Sequence, residues 1–155
     1  HLITAVLKAH PTVHGVLFDR PQVVEGVSGM LEAEGLGDRC EVVSGDFLSW
    51  VPSGGDAYVL QRVIHDWEYE PAIVILKNCR KAMANGGKLL VIDRVIPLGN
   101  DPDTGKLADI VQLVTTGGRE RTEAEHRDML ADAGFRLTRI VTTRSPFSII
   151  EGVPV

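Results

Sequence analysis

The chain has 155 residues, 44% apolar and 24% charged, with a net charge of −5. That length suits one domain able to bury roughly 70% of its unfolded surface. The acidic balance, with no Lys/Arg run longer than two residues, argues against a nucleic-acid footprint, and no apolar stretch approaches the ~18 residues of a membrane span.

Residues 2–10 carry Leu2, Ile3, Val6 and Leu7 at helical spacing, and Pro11 stops that helix. Residues 13–18 read as a buried strand closing on Asp19. Arg20-Pro21 opens a helix through Glu34, with proline in the first turn, where its missing N–H costs little. Gly35 and Gly37 end it. Residues 40–44 form the next strand, followed by Gly45-Asp46-Phe47. Pro52-Ser53-Gly54-Gly55 is a loop, and residues 56–63 are a strand that runs into His65-Asp66-Trp67.

A helix is expected over 70–84, with Ile73, Leu76, Cys79 and Met83 on one face, and Asn85-Gly86-Gly87 as its stop. Residues 88–93 are a buried strand that again ends on a carboxylate, Asp93. A polar loop over 97–105 leads to a helix over 107–115, with Leu107, Ile110, Val111 and Val114 inward. Thr122-Glu123-Ala124-Glu125 is a capping box that starts another helix, ended by Gly134. Two strands, 136–143 and 147–151, close the chain around Ser145-Pro146. A turn that short joins antiparallel strands, because a parallel return needs a dozen or more residues. The alternation before it predicts a doubly wound α/β sheet, mostly parallel, with an antiparallel C-terminal hairpin.

Cys40 and Cys79 fall in a strand and a helix, without C-x-x-C or metal spacing to a histidine. They read as reduced core residues of a cytoplasmic protein. Residues 1–7 lack the charged region and cleavage site of a signal peptide. The first residue is not Met, and the opening already reads as helix, so the chain is expected to start inside a longer one.

In an open α/β sheet, ligands bind beyond the carboxyl ends of the strands. His65 falls at such an end. An imidazole with an ordinary pKa near 6.5 suits proton removal near neutral pH. A histidine alone there reads as a surface or capping residue, and any one Asp at a strand end reads as a turn residue. Asp19, Asp46 and Asp93 together with His65, all at one predicted edge, read as a site. A carboxylate at the end of the second strand of a nucleotide-binding unit accepts hydrogen bonds from ribose hydroxyls, about 20 residues past a glycine-rich loop. For Asp19, that loop falls before residue 1. Asp46-Phe47 suits an adenine, with a carboxylate for the exocyclic amine and a ring or backbone beside the base.

Five motifs carry a resemblance: V-L-F-D-R-P (16–21), S-G-D-F (44–47), H-D-W (65–67), N-G-G-K-L-L-V-I-D (85–93) and G-G-R-E-R-T-E-A-E (117–125). In this order they resemble the catalytic part of the S-adenosylmethionine-dependent O-methyltransferases, the family of caffeate, flavonoid and polyketide-antibiotic enzymes. The resemblance implies that Asp19 holds the donor ribose and that Asp46 and Phe47 contact its adenine. It implies His65 as general base, oriented by Asp93 and Glu120, with Asp66 near the substrate. The family commonly has Glu where this chain has Asp93. Plant members often have a donor-contacting Lys where this chain has Gln61, which can hydrogen-bond without charge.

The resemblance further implies S-adenosylmethionine as cofactor, S-adenosylhomocysteine as product and a small hydroxylated aromatic substrate. It implies a homodimeric parent; no nucleic-acid or membrane partner is expected from the charge and apolar runs, and no metal, because no two histidines pair at ligand spacing near a carboxylate cluster. On this reading residues 1–155 are a partial catalytic domain without its first strand, glycine-rich loop and N-terminal dimerisation region, and by themselves bind the donor poorly or not at all. Rival readings are a dehydrogenase half-domain using Asp19, and a non-catalytic module serving subunit association. A serine hydrolase fails because Gly26-Val27-Ser28-Gly29-Met30 breaks the G-x-S-x-G pattern, and His126-Arg127-Asp128 lies in a helix without a kinase's downstream Asn.

Overall fold

A computed structural model describes residues 2–155. The chain forms two compact units, divided between Pro52 and Ser53. In the first, α1 (Leu2–Ala9) precedes β1 (Gly15–Asp19), followed by α2 (Pro21–Val24), α3 (Val27–Ala33), a 3-10 turn (Gly37–Arg39) and β2 (Cys40–Ser44). The two strands run parallel, with Gly15 opposite Cys40 and Asp19 opposite Ser44. Leu7, Leu31, Leu36 and Cys40 form the core, with Ile3, Leu17, Val27 and Val42 packed against it. Arg39 donates to the carbonyls of Leu7, His10, Pro11 and Val13, which ties the end of α1 to the approach of β1. A Cβ on Gly15 would lie 2.8 Å from Ile3 Cδ1, so the helix packs directly on strand backbone.

The helix expected through Glu34 is broken. Glu25 leaves the helical region and Gly26 sits at φ 77°, a left-handed conformation that glycine adopts without strain. The periodicity of 20–34 therefore spans two short helices.

The second unit contains β3 (Ala57–Gln61), a 3-10 turn (Ile64–Asp66), α4 (Tyr69–Ala82), β4 (Lys88–Asp93), α5 (Thr104–Thr115), α6 (Glu123–Asp132), β5 (Phe135–Thr142) and β6 (Ser148–Pro154). Its sheet has the order β3-β4-β6-β5. β3 and β4 are parallel, joined through α4, and β6 runs antiparallel to both of its neighbours. The antiparallel hairpin expected from the short turn is thus present, and its second strand inserts beside β4. The fold is a mixed Rossmann-like α/β sheet.

α4 buries Ala72, Ile73, Ile75, Leu76 and Cys79, the face expected from its spacing. Cys40 and Cys79 are both buried and free. α5 begins within the stretch read as loop. Asp103 is its N-cap, accepting from Gly105 N at 2.7 Å, a local hydrogen bond that apolar periodicity does not reveal. Its apolar residues are not inward as expected: Leu107, Ile110, Val111 and Val114 are exposed, Val114 at 79%. Only Gly105 of this helix is buried. An apolar stripe signals a surface that would gain from cover; it does not itself supply the covering element.

Candidate active site

β3 ends at Gln61, and the chain turns sharply at Arg62, which holds φ 55°. A positive φ in a residue with a Cβ is uncommon and costs strain of about 1–3 kcal/mol. The turn delivers Ile64–Asp66 as a single 3-10 turn beside the end of β4. His65 is 4% exposed there. A cavity of about 440 Å³ opens over it, lined among others by Arg62, Asp66, Arg94, Gln112, Glu120 and Phe147. The guanidinium carbons of Arg62 and Arg94 lie 5.7 and 5.1 Å from the Phe147 ring centre.

The G-G-R-E-R-T stretch builds the other wall, and each residue has a physical task. A Cβ on Gly118 would fall 2.1 Å from the carbonyl oxygen of His65, so only glycine lets the loop lie against this turn. The contact lets Arg119 N donate to that same carbonyl at 2.9 Å. Arg121, 2% exposed, donates to the carbonyls of Ile64, Trp67 and Arg119. It fastens the histidine turn to the loop. Thr122 starts α6 with the expected capping box to Glu125.

Glu120 sits between these anchors, 2% exposed, with its N–H held by Asp109 Oδ1 at 2.7 Å. Its Oε1 lies 3.2 Å from His65 Nδ1 and 3.7 Å from Arg94 Nε. Asp93, at the end of β4, is 1% exposed, and its Oδ1 is 4.0 Å from His65 Nδ1. Neither Asp93 oxygen makes a hydrogen bond of ordinary geometry. Asp66 Oδ1 lies 3.6 Å from His65 Nε2.

Burial alone would lower the His65 pKa. The Glu120 contact and the charges of Asp93, Glu120 and Asp66 outweigh it and hold the imidazole above its usual value. Burial pushes Asp93 up to about 7, offset in part by His65 and reinforced by Glu120. The site thus holds an imidazole of raised basicity beside an acid whose own pKa burial has pushed far above the usual carboxylate range. Two groups this close titrate as a coupled pair.

The structure brings His65, Asp66, Asp93 and Glu120 together. It separates the roles of the two acids: Glu120 makes the short contact, and Asp93 stands off. Gln61 is exposed at the end of β3, four residues before the histidine. In the first unit, Asp19 ends β1 and Asp46 follows β2, so both lie at the carboxyl edge of the two-stranded sheet. Asp19 Oδ1 accepts from Arg20 N at 2.7 Å and Asp46 Oδ1 from Leu48 N at 2.9 Å. Each carboxylate keeps its other oxygen for a further donor. Phe47, next to Asp46 in the chain, is half-buried. A Cβ on Gly45 would strike the Phe18 ring at 2.5 Å, so the backbone between them passes close to an aromatic wall. Two hydrogen-bond-accepting carboxylates and aromatic surface fit a nucleoside with hydroxyl and amine groups.

Among the cavity-lining side chains not singled out in the sequence are Arg62, Arg94 and Gln112. Gln112 Nε2 lies 2.9 Å from His65 Nδ1. The one available signal was a lone amide within the apolar run Val111-Gln112-Leu113. Among the described residues, no His/Cys/Asp/Glu group could hold a metal ion, and no helix is long and apolar enough to cross a membrane.

The second unit is therefore a Rossmann-like sheet that holds an imidazole among carboxylates under an open cavity, an arrangement suited to taking a proton from a bound molecule. The chain belongs to the O-methyltransferase domain family, whose model matches residues 1–136. It is 43% identical over 154 residues to a phenazine O-methyltransferase, PhzM, of Lysobacter antibioticus, covering 99% of this chain and 45% of that protein. It is 44% identical over 159 residues to the O-demethylpuromycin-O-methyltransferase of Streptomyces alboniger, covering 99% and 42%. Among solved structures, CalO1, a methyltransferase in calicheamicin biosynthesis in its S-adenosylhomocysteine-bound form, matches with a TM-score of 0.86 and 42% identity, over 99% of this chain and 45% of that one. The chain spans less than half the length of these relatives. Membership in this family bears out the resemblance read from the five motifs.

Proposed function

We propose that the protein transfers a methyl group from S-adenosylmethionine to a hydroxyl of a small aromatic acceptor, with His65 as general base. The donor supplies a methyl group on a positively charged sulfur; the chain supplies the grip, the alignment and a place for the proton. Asp19 suits the ribose hydroxyls through its open oxygen, Asp46 and Phe47 suit the adenine, and Gln61 offers an uncharged amide. His65 Nε2 accepts the acceptor's proton as the new bond forms. Glu120, on the opposite ring nitrogen, orients the imidazole and stabilises its charge; Asp93 adds charge through space. Asp66, 3.6 Å from Nε2, contacts the acceptor in this reading.

The observation that carries this reading is the 3.2 Å contact from Glu120 Oε1 to His65 Nδ1 beneath a 440 Å³ cavity. Alignment of bound reactants contributes up to about 7–11 kcal/mol and a positioned base about 10²–10⁴-fold. The names of the relatives, which act on phenazine and demethylpuromycin, support an aromatic acceptor. The exposed apolar face of α5 supports a homodimeric parent, and the two buried free thiols support a cytoplasmic setting.

The test is methyl transfer from labelled donor to a panel of phenols by the whole protein and its His65→Ala variant, with donor affinity measured alongside. Loss of about 10²–10⁴-fold in turnover with donor affinity kept is expected. Unchanged turnover would remove His65 from the role. A dehydrogenase or a non-catalytic module would transfer no methyl group in either form.

A further inference from the structure

His65 Nδ1 faces two side chains at once: Glu120 Oε1 at 3.2 Å and the Gln112 amide at 2.9 Å. A neutral imidazole nitrogen either donates or accepts, so the two neighbours make different demands. If the amide N–H of Gln112 donated to Nδ1, the ring proton would sit on Nε2. Nε2 would then have no lone pair for the cavity, and Glu120 would face a nitrogen without a proton. If the amide oxygen faces Nδ1, both neighbours accept from one N–H, and Nε2 keeps its lone pair.

Two observations decide between these. An ionised Glu120 can only accept, and hydrogen bonds to charged groups are roughly twice as strong as neutral ones, so it favours a proton on Nδ1. The other end of the Gln112 amide meets Thr115 Oγ1 at 3.5 Å. The Thr115 hydroxyl has one proton and already donates it to the carbonyl of Val111 at 2.8 Å. Toward Gln112 it has only lone pairs to offer, so the amide group beside it is the NH2. Oxygen and nitrogen of an amide are interchangeable by a half-turn, and the network, not the shape, assigns them.

We infer that Gln112 turns its amide oxygen to His65 Nδ1 and thereby acts as a positioning residue that holds the base in its Nδ1–H tautomer. The inference deepens the reading of His65 as a base, because it names what keeps Nε2 free to take the proton. Glu120 alone would fix the ring from one side, and its Oε1 is shared with Arg94 at 3.7 Å. Gln112 provides a second acceptor from α5 that carries no charge. The charged groups around the ring are Glu120 and Asp93 on the Nδ1 side, Asp66 on the Nε2 side, and Arg94 behind Glu120.

Long-range proton–nitrogen NMR on the chain with ¹⁵N-labelled histidine reads the tautomer directly, with His65→Ala identifying the signals. Above the His65 pKa the wild type is expected to show a protonated Nδ1 and an unprotonated Nε2. Gln112→Glu, which can accept but not donate, is expected to keep that pattern and raise the His65 pKa by about one unit. Gln112→Leu is expected to mix the tautomers and lower the pKa by about half a unit. His126 signals that stay in place report an intact fold in each variant. A proton on Nε2 in the wild type that moves to Nδ1 in Gln112→Glu would overturn the inference, as would Gln112→Leu spectra identical to wild type. The readout needs no turnover. Retained methyl transfer in His65→Ala would therefore remove the base while leaving this assignment intact.

Discussion

Replacing Asp93 with asparagine separates charge from shape at the least satisfied acid of the site. Asp93 is 1% exposed, and neither oxygen has a hydrogen bond of ordinary geometry. Burial lifts its pKa from 3.8 to about 7. The native state therefore holds a proton between these values that the unfolded chain releases. Stability falls as pH rises through that window and stays lost above it. At 1.36 kcal/mol per pKa unit, the whole window amounts to about 4 kcal/mol. At pH 5 roughly a third of it has been spent; at pH 8.5 all of it has. The substituted amide does not titrate. Urea melts followed by the fluorescence of Trp50 and Trp67 at pH 5, 7 and 8.5 give the comparison. The stability of Asp93→Asn relative to wild type is expected to increase by about 2–3 kcal/mol from pH 5 to 8.5. Subtracting one profile from the other removes the groups that do not interact with Asp93; His65, whose pKa the Asp93 charge helps to raise, contributes to the difference as its coupled partner. A flat difference would refute the reasoning, since it would mean that Asp93 titrates alike in the folded and unfolded chains.

His126 has the opposite sign. Burial pushes its pKa down to about 4, so it supplies stability above its ordinary pKa that is lost as pH falls from 6.5 toward 4, about 3 kcal/mol in all. The difference between His126→Gln and wild type in urea melts over that range should show this slope. Gly118→Ala places a Cβ 2.1 Å from the His65 carbonyl oxygen, backbone that can yield only by moving the turn. A loss of about 3 kcal/mol or more is expected, read as a fall in Tm. Arg121→Leu removes the guanidinium that donates to the carbonyls of Ile64, Trp67 and Arg119, and with it the tie between the histidine turn and the loop. About 3–5 kcal/mol of destabilisation is expected in the same melts.

Much of the local structure was legible in the residues themselves. Val, Leu and Ile runs bounded by glycine and proline marked the strands, and the spacing of Ile73, Leu76 and Cys79 marked the inner face of α4. The short turn at Ser145-Pro146 forced the antiparallel end, and the Thr122–Glu125 box marked the start of α6. These are effects of period, backbone permission and loop length, which act over a few residues. His65 and Glu120 were legible as site residues because the H-D-W and G-G-R-E-R-T stretches are distinctive together.

Tertiary structure decided which partners meet. Asp93 and Glu120 were equal candidates for the imidazole until packing placed one at 4.0 Å and the other at 3.2 Å. Gln112 reached His65 from a helix whose apolar pattern marked it as ordinary, while that helix's own stripe proved to be exposed. A sequence pattern states which side chains would gain from being covered or paired. Which partner arrives, and with which atom facing, depends on where elements dozens of residues apart come to rest.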